Sequence, residues 1–231
     1  KSVEEFPATV ACESCEEPAG GVPLVRTTTA VDGTFKLSGV PTGASIPLVV
    51  QKGRFRRQLT LKIGSCKDHP LGDAQVRLPS TQTEGDLPRM AVGIGAYDQI
   101  ECVLRAIGIA PSEFTDPDGA GSVHLFNNGV ASNGPYPPLE QLLGSSTELE
   151  KYNVVFINCT DHRWQDIVDK PGVASNIADY VGKGGRLYVT DLSYDYVEQI
   201  NDLAPFIYFF GGGSMTSPQP IGKGVGGFDN D

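Results

Sequence analysis

The chain has 231 residues, 39% hydrophobic and 20% charged, which places it among folded proteins with room for one large domain or two ordinary ones. Its 28 acidic and 18 basic side chains give a formal charge of −10, which argues against nucleic acid or an anionic membrane as the main partner. No window holds the roughly 18 apolar residues of a membrane span, and Lys1, Ser2, Val3, Glu4 and Glu5 are not followed by an apolar core, so neither a span nor a secretory leader is expected.

Residues 1–66 read as β structure. A candidate strand over 22–29 leads to a turn at Val31, Asp32, Gly33 and Thr34, with Asp-Gly at its centre. Phe35, Lys36 and Leu37 alternate, and Pro41, Thr42 and Gly43 turn the chain again. Two further strands are expected over 46–51 and 58–63. The basic stretch between them carries Arg54, Arg56 and Arg57, read as a solvated hairpin end, with docking to an acidic partner or to the second domain as the other reading. Residues 67–88 hold Pro70, Pro79 and Pro88, show no period and read as a linker or surface crossing.

The second domain, residues 89–231, alternates strands with helices. A short apolar strand over 90–95 precedes a helix whose Ile100, Val103, Leu104 and Ile107 fall on one face, expected to be buried. Strands follow over 122–126, 152–159 and 186–191, and a last one is expected over 204–210. Helices are expected over 139–143, 147–151, around Val173, Ile177, Tyr180 and Val181, and over 194–200. Residues 211–231 are glycine-rich and aperiodic. This spacing predicts a doubly wound, mainly parallel α/β sheet. In such sheets a ligand sits beyond the carboxyl ends of the strands. Those ends carry Tyr97 and Asp98, then Cys159, Thr160, Asp161 and His162, then Asp191, Ser193 and Tyr194, which makes Tyr97, Asp98, Asp161, His162, Asp191, Ser193 and Tyr194 the candidate ligand-binding edge.

Asp161, His162 and Asp191 could ligate a divalent ion, though their spacing is no recognised signature and capping of helices by the two aspartates is the simpler reading. Asp116 to Gly119 lacks the later glutamate of a calcium loop and reads as a turn, and Gly222 to Gly227 fits a dinucleotide fingerprint in letters only, without a strand before it or a helix after it. No cofactor is expected. Of five cysteines, Cys12 and Cys15 form a CxxC with no second pair to complete a zinc site and no strand–helix junction to make it a redox motif. Disulfides and export are therefore expected, with one cysteine left over.

Thr29 to Gly43, with Asp32, Gly33, Phe35, Leu37, Val40, Pro41 and Gly43, resembles the core of a carboxypeptidase regulatory-like domain, a transthyretin-like β-sandwich, with Ala30 and Val31 in place of the usual Thr-Asp. The resemblance implies an exported, non-catalytic sandwich. The upstream strand pair of that family is not found after Lys1, so a partial sandwich is expected, with an open edge for self-association or a protein partner. Tyr152 to Phe156 together with Ile177 to Val189 resembles the class I glutamine amidotransferase-like superfamily, a flavodoxin-like fold, and the two-domain order resembles that of a group of bacterial secreted proteins and lipoproteins. Active members of the superfamily carry a Cys on a sharp strand-to-helix turn, followed by a His and an acid. Here Cys159 lacks flanking glycines, His162 is only three residues on, and the turn after the next strand holds Asp191, so Cys159, His162 and Asp191 form a triad only in an altered order. The fold implied by the resemblance brings Cys102 near Cys159, giving an expected disulfide, with Cys66 to Cys12 or Cys15 as a second. The expected function is a non-catalytic cell-surface or extracellular assembly or recognition module, the alternative a divergent hydrolase or ligand-binding enzyme working at the sheet's carboxyl edge.

Overall fold

A computed structural model describes residues 3–12, 22–129, 134–160, 165–200 and 202–203. The chain forms two compact units, one of Lys1–Phe6 and Ser14–Leu87, the other of Pro7–Glu13 and Pro88–Asp231.

In the first unit, β1 (Gly43–Lys52) and β2 (Phe55–Ile63) form an antiparallel hairpin, a sheet of two strands. Gly53 and Arg54 make its turn, and Gly53 takes a φ of +55°, the left-handed first position of a two-residue hairpin loop. Lys52 lies opposite Phe55, so this pair and alternate pairs beyond it, Val50–Arg57 and Leu48–Leu59, hold the ladder bonds. The main-chain groups of Gln51, Val49 and Pro47 on one strand, and of Arg56, Gln58 and Thr60 on the other, point outward. Arg56 uses this freedom: its N–H donates to Asp86 O at 3.0 Å and its C=O accepts from Asp86 N at 2.8 Å.

The full sandwich is not there among the described residues. The expected strand over 22–29 does not form, and the alternating residues 35–37 join no sheet: Val22 and Leu24 are exposed, while Val25, Phe35 and Leu37 are half-buried outside any strand. The turn between them does form, with Asp32 Oδ1 accepting from the N–H and hydroxyl of Thr34 at 2.9 and 2.7 Å.

The hairpin arginines depart from the solvated reading as well. Arg54, Arg56 and Arg57 are 8%, 3% and 7% exposed, and with Pro79 they are the buried residues among those described in this unit. Arg56 Nε meets Asp86 Oδ2 at 2.6 Å, its Nη1 donates to Glu4 O at 2.6 Å, and its guanidinium lies 4.0 Å from the centre of the Phe6 ring. Arg57 Nη1 donates to Ala74 O at 2.9 Å, on the short helix α1 (Asp73–Val76), and Nη2 meets Glu84 Oε2 at 2.7 Å. These forked donors reach main-chain carbonyls and carboxylates at once, which a lysine could not do. Pairing with the loop through 64–87 and with the segment around Phe6 substitutes for an apolar core, since Ile46, Leu48, Val50, Leu59 and Leu61 are only half-buried.

Glu84 accepts from Ser80 N–H, Ser80 Oγ, Arg77 and Arg57, and these partners, the Ser80 N–H foremost, hold its carboxyl at about 2. Glu84 therefore loses its proton more readily folded than unfolded. Its contribution is complete above about pH 4.5 and fades as pH falls towards 2. Glu84→Gln is expected to destabilise the hairpin by about 1–3 kcal/mol at pH 7 and to flatten that acid dependence, read out as hydrogen exchange of the β2 amides.

The second unit is a parallel sheet. Its elements in order are β3 (Met90–Ile94), α2 (Ile100–Ala106), β4 (Phe114–Thr115), β5 (Val123–Asn127), α3 (Leu139–Leu143), α4 (Ser146–Leu149), β6 (Val154–Ile157), α5 (Gln165–Val168), α6 (Val173–Gly182), β7 (Arg186–Val189) and α7 (Asp195–Glu198). The strands lie in the order β4-β5-β3-β6-β7, every pair parallel. The chain moves from β3 to one side and then returns to the other, so the direction of winding reverses at the exits of β3 and β6. β3 is buried throughout, and Val173, Ile177 and Tyr180 seal α6 onto the core with Leu139, Leu143 and Val155. The expected strand over 204–210 and the glycine-rich stretch after it lie outside the described residues.

α2 breaks the expected pattern. Leu104 is buried, but Val103 and Ile107 are 52% and 67% exposed. The helix ends at Ala106, and Ile109, beyond Gly108, takes the buried place that Ile107 was expected to fill.

His124, the second residue of β5, is fully buried. Its Nε2 lies 3.0 Å from Gly121 O and its Nδ1 2.7 Å from the Tyr152 hydroxyl. A carbonyl can only accept, so Nε2 carries the proton and Nδ1 accepts from Tyr152. Burial, then the charge of Arg89, lowers the basicity of His124, and burial pushes Tyr152 up to about 12. Tyr152→Phe is expected to leave Nδ1 without a donor and to cost about 1–3 kcal/mol in urea unfolding.

Candidate functional site

At the carboxyl edge of the sheet the strand exits, among the described residues, are tied to one another by hydrogen bonds. The exit of β3 runs against the exit of β6 so closely that a Cβ on Gly95 would stand 2.1 Å from Cys159 O. Only glycine fits there. The contact allows Ala96 N–H and Tyr97 N–H to donate to Cys159 O at 2.9 and 3.2 Å, while Cys159 N–H donates to Asp98 Oδ1 at 2.6 Å.

Asn158 is the centre of the arrangement and is fully buried. Its N–H donates to Gly93 O at 3.0 Å. Its C=O accepts from Asn128 Nδ2 at 3.1 Å and from Ser193 Oγ at 2.9 Å. Its Nδ2 donates to Asp98 O at 3.3 Å and to Glu101 Oε2 at 3.0 Å, which fixes the orientation of the amide and leaves Oδ1 without a partner among the described residues. Tyr196 OH donates to Asn128 Oδ1 at 3.4 Å. The exits of β3, β5, β6 and β7 thus meet on one residue.

Of the sequence-predicted residues, Cys159 and Asp191 come together, with the buried thiol donating to Asp191 Oδ2 at 3.7 Å. Asp98 joins them through the Cys159 N–H. Ser193 is buried and directed at Asn158, Tyr97 is 65% exposed, and Tyr194 is half-buried. Asp161 and His162 lie outside the described residues, so neither the altered triad nor the metal set is described in full. Among the described residues no three His, Cys, Asp or Glu side chains converge as a metal site would require. Asp191 has a φ of +38°, uncommon for a residue with a side chain, at the turn from β7 into the helical residues that follow.

Sequence reasoning missed Asn158, Asn128 and Glu101 as one network. The available signal was an asparagine at the end of two buried strands, since a buried amide must be partnered.

The disulfide expectations are overturned. Cys12, Cys66, Cys102 and Cys159 are not joined in disulfides. Cys102 is exposed on α2 with its thiol 3.3 Å from Gln99 Oε1, while Cys159 is buried against Asp191, so the two sulfurs face different surroundings. Cys66 and Cys12 are exposed and unpaired, and Cys15 lies outside the described residues. Comparison with protein-family models, curated proteins and solved structures finds no match.

Because left-handed backbone costs a side-chain-bearing residue about 1 kcal/mol or more, Asp191→Gly is expected to raise the unfolding free energy of this unit by about 1 kcal/mol, whereas Asp191→Ala gives no gain. Thermal melts of the two variants beside the parent chain read this out.

Proposed function

We propose that this chain is a non-catalytic assembly or recognition module: the α/β unit serves as a scaffold and the hairpin unit carries the interaction surface. The observation that carries the reading is the closed carboxyl edge. In parallel α/β sheets the main-chain N–H groups at the reversal of winding are the ones a ligand uses. Here those of Ala96, Tyr97 and Cys159 bond to Cys159 O and Asp98 instead. The parallel strand order and the left-handed Asp191 support an amidotransferase-like scaffold whose elbow carries a carboxylate. The Thr29 to Gly43 resemblance supports a regulatory-like origin for the hairpin unit. Placement at a bacterial cell surface belongs to the same proposal and rests on that resemblance, with no help from the free thiols.

Native alkylation separates this reading from hydrolysis by Cys159. With iodoacetamide on the folded chain and mass spectrometry of its peptides, Cys12, Cys66 and Cys102 are expected to react within minutes, and Cys159 only at the rate of global unfolding. Rapid modification of Cys159 in the native chain, slowed by Asp191→Asn, would mark it as an accessible nucleophile and replace the assembly reading with the hydrolase.

A further inference from the structure

The hairpin unit has two sheet edges, and they are not equivalent. On β1 the outward positions are Pro47, Val49 and Gln51. Pro47 has no N–H to offer, so this edge is interrupted at the very place a partner strand would need a donor. On β2 the outward series is Arg56, Gln58, Thr60 and Lys62, by the alternation of the strand. Arg56 is already bonded to Asp86. Gln58, Thr60 and Lys62 are exposed, and their main-chain groups meet no partner among the described residues. Leu59 and Leu61 lie between them on the half-buried apolar face with Leu48 and Ile46. A sheet of two strands is marginal alone, and its stability rises when further strands extend the apolar face.

We infer that β2 pairs with β2 of a second copy of this chain, antiparallel, about a two-fold axis through Thr60. This names the partner in the assembly reading above and rests on it. A two-fold through the middle of the three free positions engages all of them: Thr60 meets the second Thr60, and Gln58 meets Lys62. Leu59 then faces Leu61 across the junction, so the apolar face runs unbroken through four strands. Charge favours the same register. An axis at Lys62 would set two ammonium groups opposite each other, which is destabilising, and an axis at Gln58 would direct Thr60 onto the main chain of Arg56, which Asp86 occupies. The pairing is isologous, so it closes at two copies.

Sedimentation velocity on the full chain is expected to show a concentration-dependent dimer. Thr60→Pro removes the outward N–H at the axis and leaves the β1–β2 ladder bonds in place, and is expected to raise the dimer dissociation constant at least about ten-fold. Should that variant fold poorly, Thr60→Cys decides. Hydrogen-bonded antiparallel partners lie about 5.5 Å apart at Cα, within reach of a disulfide. With Cys12, Cys15, Cys66 and Cys102 replaced by Ser, Thr60→Cys is expected to form a covalent dimer under mild oxidation while Lys36→Cys does not. A chain monomeric throughout overturns the pairing, and so does a dimer insensitive to Thr60→Pro and not trapped by Thr60→Cys. Either result with Cys159 still protected leaves the assembly reading with a different partner; Cys159 reactive in the native chain removes that reading itself.

Discussion

Polar groups held in a dry environment draw their partners from nearby, and Asn158 does so by gathering four strand exits: its side-chain N–H groups reach Asp98 and Glu101 beyond β3, and its main-chain carbonyl accepts from Asn128 beyond β5 and Ser193 beyond β7, while its Oδ1 has no partner among the described residues. Register within the sheet places Asn158 one residue past β6. The polar network then fixes where the loops leave. Gly95 is part of the same constraint, since the approach of β3 to Cys159 O allows no side chain. What remains of the usual ligand crevice is a set of main-chain groups bonded to one another.

The hairpin unit solves a different problem. It has too little apolar surface to bury, and it uses charge instead. Arg56 and Arg57 project from β2 and collect carbonyls and carboxylates from segments distant in sequence, Glu4, Ala74, Glu84 and Asp86. Removing charges from water is costly, and the cost is offset because each guanidinium reaches both a main-chain carbonyl and a carboxylate, although Arg57 Nε has no partner among the described residues. Such a unit is held by direction-dependent contacts and leaves its apolar sheet face half-covered. The α/β unit, with its continuous core of Leu139, Val155, Ile157 and Ile177, has no such need.

Much of the α/β order was legible in the sequence, because buried parallel strands are continuous apolar runs and α6 repeats its apolar residues at helical spacing. The error at α2 arose where a short helix docks through one residue: Val103 and Ile107 satisfy the pattern but not the packing. Three arginines around a tight turn are ordinarily solvated, and the burial of Arg56 and Arg57 depended on Asp86 and Glu84, some thirty residues away. The edge residues Cys159, Asp98 and Asp191 could be named from topology. Their engagement with one another could not, since it follows from the close approach at Gly95 and from the backbone of Asp191. The Cys102–Cys159 disulfide failed because the fold implied by the resemblance does not set which way either thiol faces: Cys102 is exposed and Cys159 is buried.

Pro47 bears on more than one strand. A ribbon able to pair along both borders has no natural terminus and grows into fibrils, the hazard every small exposed sheet carries. With an imino acid disabling one border, recruitment at the other would exhaust the available valence, and a pair formed there would stay finite rather than grow into a polymer.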